Sequence, residues 1–144
     1  MEKNFVAWDD AYSVGFELID NQHKSLVDMV NTLFSYCEPG HERTDIAYLN
    51  AINNAMEYAK THFTDEEKYQ RLAGYPKLDE HIKEHESFTA EIVKFVILFE
   101  TGKATPIKMA KFLKKWLLKH IAVSDKKYAP YLVKLKENKN IACA

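Results

Sequence analysis

The pattern that most constrains the fold is a helical period in residues 77–100. Apolar and histidine side chains recur there at alternating steps of three and four residues: Leu78, His81, His85, Phe88, Ile92, Phe95 and Phe99. Steps of this kind place all of these side chains on one face of an α-helix. This stretch therefore predicts a long amphipathic helix, from about Lys77 to Glu100, with one buried face.

Three further stretches show the same period. They run from about Asp20 to Cys37, from about Asp45 to Leu72, and from Thr105-Pro106 through His120. The segments 38–40, 74–76 and 101–102 contain the Pro and Gly residues that end helices. A short amphipathic stretch follows Asp125, and no strand pattern is found.

Four helices with short connections pack as antiparallel neighbours. The sequence therefore predicts an all-α fold, an up-down-up-down antiparallel four-helix bundle in a single domain, 1–144. In this interpretation residues 1–17 form an N-terminal arm, 18–125 the bundle and 126–144 a short C-terminal helix.

The charge balance and the apolar runs exclude several classes of partner. The chain has 144 residues, with 20 Lys and Arg against 21 Asp and Glu. Such a balance gives no electrostatic reason to bind nucleic acid or an anionic membrane. No apolar run approaches the roughly 20 residues that span a bilayer, and the first residues lack a signal pattern. We therefore expect a cytoplasmic protein in which Cys37 and Cys143 are reduced, incidental thiols.

The inward faces carry an unusual set of polar side chains. Five of the six histidines fall on or beside these faces, with at least one from each helix: His23, His62, His81, His85 and His120. His41 lies in the first loop and is expected at the surface. Buried imidazoles are unfavourable unless they are hydrogen-bonded or bind a cation. Any one of these histidines alone is typical of a hydrogen-bonded core residue, but the whole set predicts a metal site.

Carboxylates accompany the histidines at helical spacing. His62 and Glu66 are four residues apart, as are His81 and His85, so each pair shares one helix face. His120 and Asp125 are five apart, which is about 140° on a regular α-helix. Both can point inward only if the helix ends or unwinds between them, and Ser124-Asp125 suits such a break.

Seven candidate ligands exceed the four that a zinc ion takes and suit two metal ions. Two octahedral ions could be held by five imidazoles, two bridging carboxylates and a bridging solvent oxygen. This arrangement leaves one coordination position vacant for a small molecule. Ligand type does not decide the metal, since copper and zinc compete on affinity. Diiron enzymes in ferritin-like bundles use more carboxylates. An imidazole-rich site therefore favours binding dioxygen and releasing it over cleaving the O–O bond.

Four motifs in order along the chain resemble the hemerythrin family, and in particular its single-domain bacterial members. They are Trp8-Asp9 with residues 13–26, residues 62–67, Tyr75-Pro76 before His81-x3-His85, and Trp116-x3-His120-Ile121-x3-Asp125. The resemblance implies a four-helix bundle with a non-haem centre of two iron ions, joined by an oxo or hydroxo bridge, that binds O₂ reversibly.

By this resemblance, the seven candidates divide between two irons. His81, His85 and His120 would hold the saturated iron, and His23 and His62 the iron with the vacancy. Glu66 and Asp125 would bridge the two.

Other positions carry less specific expectations from the same resemblance. Leu117 and Ile121 would line the oxygen pocket. The alternative is that both residues are ordinary core residues. Phe16 and Gln70 depart from the usual family residues, and Glu67 is expected to be a solvated carboxylate.

The leading functional hypothesis is an oxygen carrier or store, not an enzyme, with dioxygen as its partner. An oxygen or redox sensing module is one alternative, and a diiron enzyme that consumes peroxide or nitric oxide is another. Iron storage is disfavoured because no acidic channel is evident. The sequence identifies no partner protein.

Overall fold

The computed structural model describes residues 5–37, 44–103 and 106–139. After a short 3₁₀ turn at Asp10–Tyr12, these residues form α1 (Glu17–Ser35), α2 (Thr44–Leu72), α3 (Leu78–Glu100) and α4 (Pro106–Trp116). A π-helical segment, Leu117–Ser124, then leads into α5 (Asp125–Lys139). The described ranges contain no strand. The predicted all-α four-helix bundle is confirmed, with α4, the π segment and α5 as its fourth rod.

The histidine positions show that neighbouring helices run in opposite directions. His23 lies near the start of α1, His62 near the end of α2, His81 near the start of α3 and His120 after α4. Contacts among these rings place them at one level of the bundle. Helix α1 packs against α2 and α4, and α2 packs against α3. Helix α3 meets α4 through aromatic side chains, including Phe88 and Phe112, with ring centroids 5.5 Å apart.

Two apolar clusters lie on opposite sides of the histidine level. The upper cluster fills most of the bundle and includes Leu26, Val30, Tyr58, Phe63, Phe88, Ile92, Leu113, Leu117 and Ile121. The lower cluster contains Val14, Phe16, Ile19, Tyr75, Tyr128, Ala129, Leu132 and Leu135. Phe63 of the upper cluster stacks on His85, whereas Tyr128 of the lower cluster contacts His81. The polar residues are therefore enclosed between two apolar layers.

The N-terminal arm is held by specific hydrogen bonds. The Val6 amide donates to Asn31 Oδ1 (2.8 Å), and Asn31 Nδ2 donates to the Val6 carbonyl (2.7 Å). Ser13 and Val14 both donate to the carboxylate of Asp20. Asp20 thus anchors the arm and lies inside α1, which begins three residues earlier than the sequence indicated, at Glu17. Among the described helices, none is long and apolar enough to cross a membrane.

Candidate metal centre

The structure brings all seven candidate ligands into one buried cluster. The side chains come from every helix of the bundle and are between 0% and 3% exposed: His23, His62, Glu66, His81, His85, His120 and Asp125. They form two overlapping groups whose ligand atoms lie within 4.8 Å of one another, a separation at which one group could hold one ion.

Glu66 lies between the two groups and directs one oxygen at each. Its Oε1 is 2.8 Å from Nε2 of His85 and 3.0 Å from Nε2 of His81. Its Oε2 is 3.2 Å from Nε2 of His62 and 3.4 Å from Nε2 of His23. A carboxylate in this position can bridge two cations.

Asp125 repeats the arrangement from the fourth rod. Its Oδ1 is 2.9 Å from His81 Nε2 and 3.0 Å from His120 Nε2, and its Oδ2 is 3.0 Å from His23 Nε2. The donors therefore divide unequally. A five-donor group comprises one oxygen of each carboxylate with His81, His85 and His120. A four-donor group comprises the other two oxygens with His23 and His62.

The π-helical segment brings Asp125 to the centre. The Asp125 amide donates to the carbonyl of His120, five residues earlier, which is the hydrogen bond of a π-helix. This wider turn places residues five apart on one side, whereas an α-helix would separate them by about 140°. The predicted departure from the α-helix between His120 and Asp125 is therefore a wider π-helical turn. The helix does not end there but continues through Asp125.

Three imidazoles are oriented by a hydrogen bond on the nitrogen that faces away from the centre. Nδ1 of His62 donates to Gln22 Oε1 (2.6 Å), and Nδ1 of His120 donates to Glu84 Oε1 (2.6 Å). Nδ1 of His85 donates to Glu67 Oε2 (2.7 Å). A proton fixed on Nδ1 leaves the Nε2 lone pair free to bind a metal.

The expectation that Glu67 is a solvated carboxylate was therefore wrong. Its side chain is only 23% exposed and accepts the hydrogen bond from His85. A residue next to an inward one is rotated about 100° around the helix axis, so it faces the neighbouring helix and not the solvent.

The same rule identifies the orienting residues that sequence reasoning missed. Gln22 precedes His23, Glu67 follows Glu66 and Glu84 precedes His85. In each case the residue bonds an imidazole on the next helix of the bundle. Adjacency to a candidate ligand was the available signal.

Aromatic side chains complete the walls of the cluster. Trp116 stacks on His120 with ring centroids 3.9 Å apart, and Phe63 stacks on His85 at 3.8 Å. The hydroxyl of Tyr128 donates to Glu66 Oε2 at 2.5 Å. Leu117 and Ile121 are fully buried in the upper cluster, on the segment that carries His120.

The electrostatics show how strongly the carboxylates attract positive charge. Burial alone would lower the pKa of His23, but the carboxylates of Asp125 and Glu66 beside it raise this pKa to about 9. The pKa of His81 is raised to about 10, because the same two carboxylates outweigh burial. Burial would raise the pKa of Asp125, yet the neighbouring imidazoles hold it well below its ordinary value. The cluster favours ionised carboxylates beside cations.

The donor set fits metal ions better than it fits mutual hydrogen bonding. Both oxygens of Asp125 and Nε2 of His120 lack a partner of acceptable hydrogen-bond geometry, although they lie 3.0 Å or less from neighbouring ligand atoms. Buried polar atoms this close are normally paired. Unpaired lone pairs at this separation are typical of atoms that share a cation.

The remaining sequence expectations concern residues away from the cluster. His41 and Cys143 lie outside the described residues, and Cys37 carries a free thiol. Phe16 is fully buried in the lower cluster. Gln70 is also fully buried, and neither atom of its carboxamide has a hydrogen-bond partner among the described residues.

Comparisons with known proteins agree with this architecture. Residues 14–132 match the family model described as the hemerythrin HHE cation binding domain. The chain is 32% identical over 123 residues to a bacteriohemerythrin of Pseudomonas paraeruginosa, covering 85% of this chain and 78% of that protein. It is 31% identical over 130 residues to the bacteriohemerythrin of Clostridium acetobutylicum, covering 84% and 96% respectively. A crystal structure of wild-type hemerythrin superposes with a TM-score of 0.75 at 27% identity, covering 89% of this chain and 98% of that one. The chain therefore belongs to the hemerythrin family and contains its HHE cation-binding domain.

Proposed function

We propose that the seven clustered residues hold two iron ions and that this centre binds dioxygen reversibly, as a carrier or store. The observation that carries the proposal is the unequal division of the donors, five on one side and four on the other. The two bacteriohemerythrins to which the chain is similar support the same interpretation.

The unequal division leaves room for a ligand on one side only. With one shared solvent oxygen, the five-donor group would provide six donors for one ion, whereas the four-donor group would provide five and leave one position open for a ligand. We call this position the vacancy. The iron pair, when bound, supplies the two electrons that binding of dioxygen requires. The protein's part is to hold the vacancy open on the side of His23 and His62.

The surroundings favour release of the ligand unchanged. Five imidazoles against two carboxylates give a donor set with little negative charge, which stabilises high-valent iron poorly. Leu117 and Ile121 are 0% exposed, and walls of this kind exclude the water that promotes irreversible oxidation. The carboxylates nearest to the seven candidate ligands, Glu67 and Glu84, are hydrogen-bonded to the outward nitrogens of His85 and His120. This engagement favours binding over turnover.

Anaerobic loading with ferrous iron, followed by admission and removal of O₂, tests the proposal. A carrier gains a charge-transfer colour in O₂ and loses it on degassing, and the cycle repeats without a reductant. A protein that oxidises and stays oxidised would instead be a sensor or a peroxide- or nitric-oxide-consuming enzyme. A chain that takes up fewer than two irons would contradict the proposed centre.

A further inference from the structure

Tyr58 carries a buried hydroxyl that the proposed centre does not use. It lies on α2, one turn before His62, and its ring stacks on the His62 imidazole with centroids 4.8 Å apart and planes inclined by 20°. The Tyr58 oxygen is buried and donates to no acceptor among the described residues, although the Trp116 side chain is close enough to act on it as a hydrogen-bond donor. Buried hydroxyls without partners are rare, because each loses its bonds to water without replacement.

The aromatic side chains packed around Tyr58 offer its hydroxyl no acceptor. Tyr58 packs against Phe63 and Phe88, with ring centroids at 5.6 Å and 5.9 Å. Trp116 packs against the same two rings and carries an indole N–H. An indole N–H can only donate, so even an indole directed at the Tyr58 oxygen leaves the phenol proton unpaired. The hydroxyl therefore has a proton to donate and no acceptor within residues 5–37, 44–103 and 106–139.

Tyr58 also lies on the side of the centre that has fewer donors. Its stacking partner, His62, belongs to the four-donor group. Tyr58 and His62 together form part of the wall of a groove of about 690 Å³ between α1 and α2, which is also lined by Met29, Leu33 and Ala51. The phenol thus stands between this groove and the four-donor group.

We propose that the Tyr58 hydroxyl donates a hydrogen bond to the small ligand that occupies the vacancy of the four-donor group. This inference rests on the proposed function, because it requires a ligand beside His62. The ligands it favours are small molecules or anions with an exposed acceptor lone pair. Such a donor strengthens binding and slows release, because a hydrogen bond to a ligand that gains negative charge is stronger than one to a neutral group.

The contrast with Tyr128 gives a test on the metal-free protein. Tyr128 has a protein acceptor, Glu66, whereas Tyr58 has none. Removing an unpaired buried hydroxyl relieves a penalty, so Tyr58→Phe is expected to leave the melting temperature of the metal-free protein unchanged or raise it by about 2–4 °C. A decrease as large as that of Tyr128→Phe would show that the Tyr58 hydroxyl, like that of Tyr128, already donates to a protein acceptor, and would overturn the inference.

The second measurement uses azide as the ligand of the two-iron ferric protein. Tyr58→Phe is expected to raise the dissociation constant of azide about tenfold, as loss of a hydrogen bond to a charged group does. Tyr69→Phe is the matched control, since Tyr69 is half-buried in the lower cluster against Phe16. It is expected to leave azide binding unchanged.

The outcomes separate this inference from the proposed function. Wild-type protein that takes up no iron would overturn both. Wild-type protein that binds two irons and azide, with a dissociation constant that Tyr58→Phe changes by less than about twofold, would overturn only the role of Tyr58. A tenfold effect shared by Tyr69→Phe would also overturn it, because the effect would not be specific to the hydroxyl beside His62.

Discussion

Nδ1 of His120 lies 2.6 Å from Oε1 of Glu84, which belongs to the neighbouring helix α3. This hydrogen bond lowers the pKa of Glu84 and keeps the His120 proton on the nitrogen that faces away from the centre. Of the imidazoles in the five-donor group, His120 and His85 each have such a carboxylate partner on an adjacent helix. Nε2 of His85 and Nε2 of His120 are therefore aimed into the cluster by residues that are not among its seven candidate ligands.

Replacing Glu84 by Ala is expected to weaken iron binding by about 10- to 100-fold, because the His120 ring loses its orienting acceptor. Competition with a chelator of known affinity would measure the change. Glu86→Ala is the control, since Glu86 is exposed on the same helix. Equal iron affinities for the two variants would show that Glu84 does not orient His120.

Tyr128→Phe is expected to lower the free energy of unfolding of the metal-free protein by about 1.5–3 kcal/mol. The substitution removes a hydrogen bond to the charged, fully buried carboxylate of Glu66 and leaves that oxygen with one partner fewer. Urea unfolding followed by circular dichroism would measure the loss. An unchanged midpoint would indicate that water replaces the phenol at Glu66.

The stability of the metal-free protein is expected to fall as the pH rises from 7 to 10. The pKa values of His23 and His120 are about 9 and that of His81 is about 10, against an ordinary value of 6.5. In this window the folded protein therefore binds more protons than the unfolded chain. The stability that these three histidines contribute is fully present below about pH 6.5 and is lost as the pH rises through 9 to 10. Burial lowers the pKa of His62, so its contribution has the opposite sign and acts below pH 6.5.

Urea midpoints measured at several pH values would check this dependence. The iron-loaded protein is the control, because nitrogens bound to metal do not take up protons. Its alkaline loss of stability is expected to be smaller. A metal-free protein whose midpoint rises between pH 7 and 10 would contradict the proposed coupling.

His85→Ala is expected to reduce the bound iron sharply from two per chain, whereas His41→Ala is expected to leave two. The first variant removes a donor of the five-donor group and leaves Oε1 of Glu66 without one of its partners. Metal analysis after anaerobic loading and desalting would give the counts. The same iron content in both variants would speak against His85 as a ligand.

Leu117→Ala is expected to speed irreversible oxidation of the oxygen-bound protein, because the truncated wall admits water. Leu113→Ala is the matched control, since Leu113 is equally buried one turn earlier and belongs to the same cluster. Both substitutions are expected to lower stability by about 2–5 kcal/mol. The rate at which the colour is lost in air would separate them, and a rate that is the same in both would remove Leu117 from the pocket.

The helices were predictable because their periods are long and uninterrupted, as in residues 77–100. The histidines of the cluster were identifiable for the same reason, since they lie on or beside apolar faces that do not tolerate a polar group alone. The two carboxylates were identified by their spacing from His62 and His120. Their roles as ligands remain predictions, although the structure gathers all seven.

The parts that sequence reasoning missed depend on relations between helices. Glu67 looks like a solvated carboxylate from its own helix, and only the position of His85 on α3 shows its purpose. Asp20 resembles a helix start, yet it lies within α1 because the arm folds back to donate hydrogen bonds to it. The spacing of His120 and Asp125 required a departure from the α-helix, but the choice between a break and a π turn depends on how the fourth rod packs.

The enclosure of the seven side chains between two apolar layers has a consequence for exchange. No donor is more than 3% exposed, so a chelator in solution cannot reach a bound ion while the bundle is closed. Loss of a bound ion would then require a transient separation of the helices, and its rate would be set by how often that opening occurs. At high concentrations of chelator, removal of iron therefore becomes independent of the amount added.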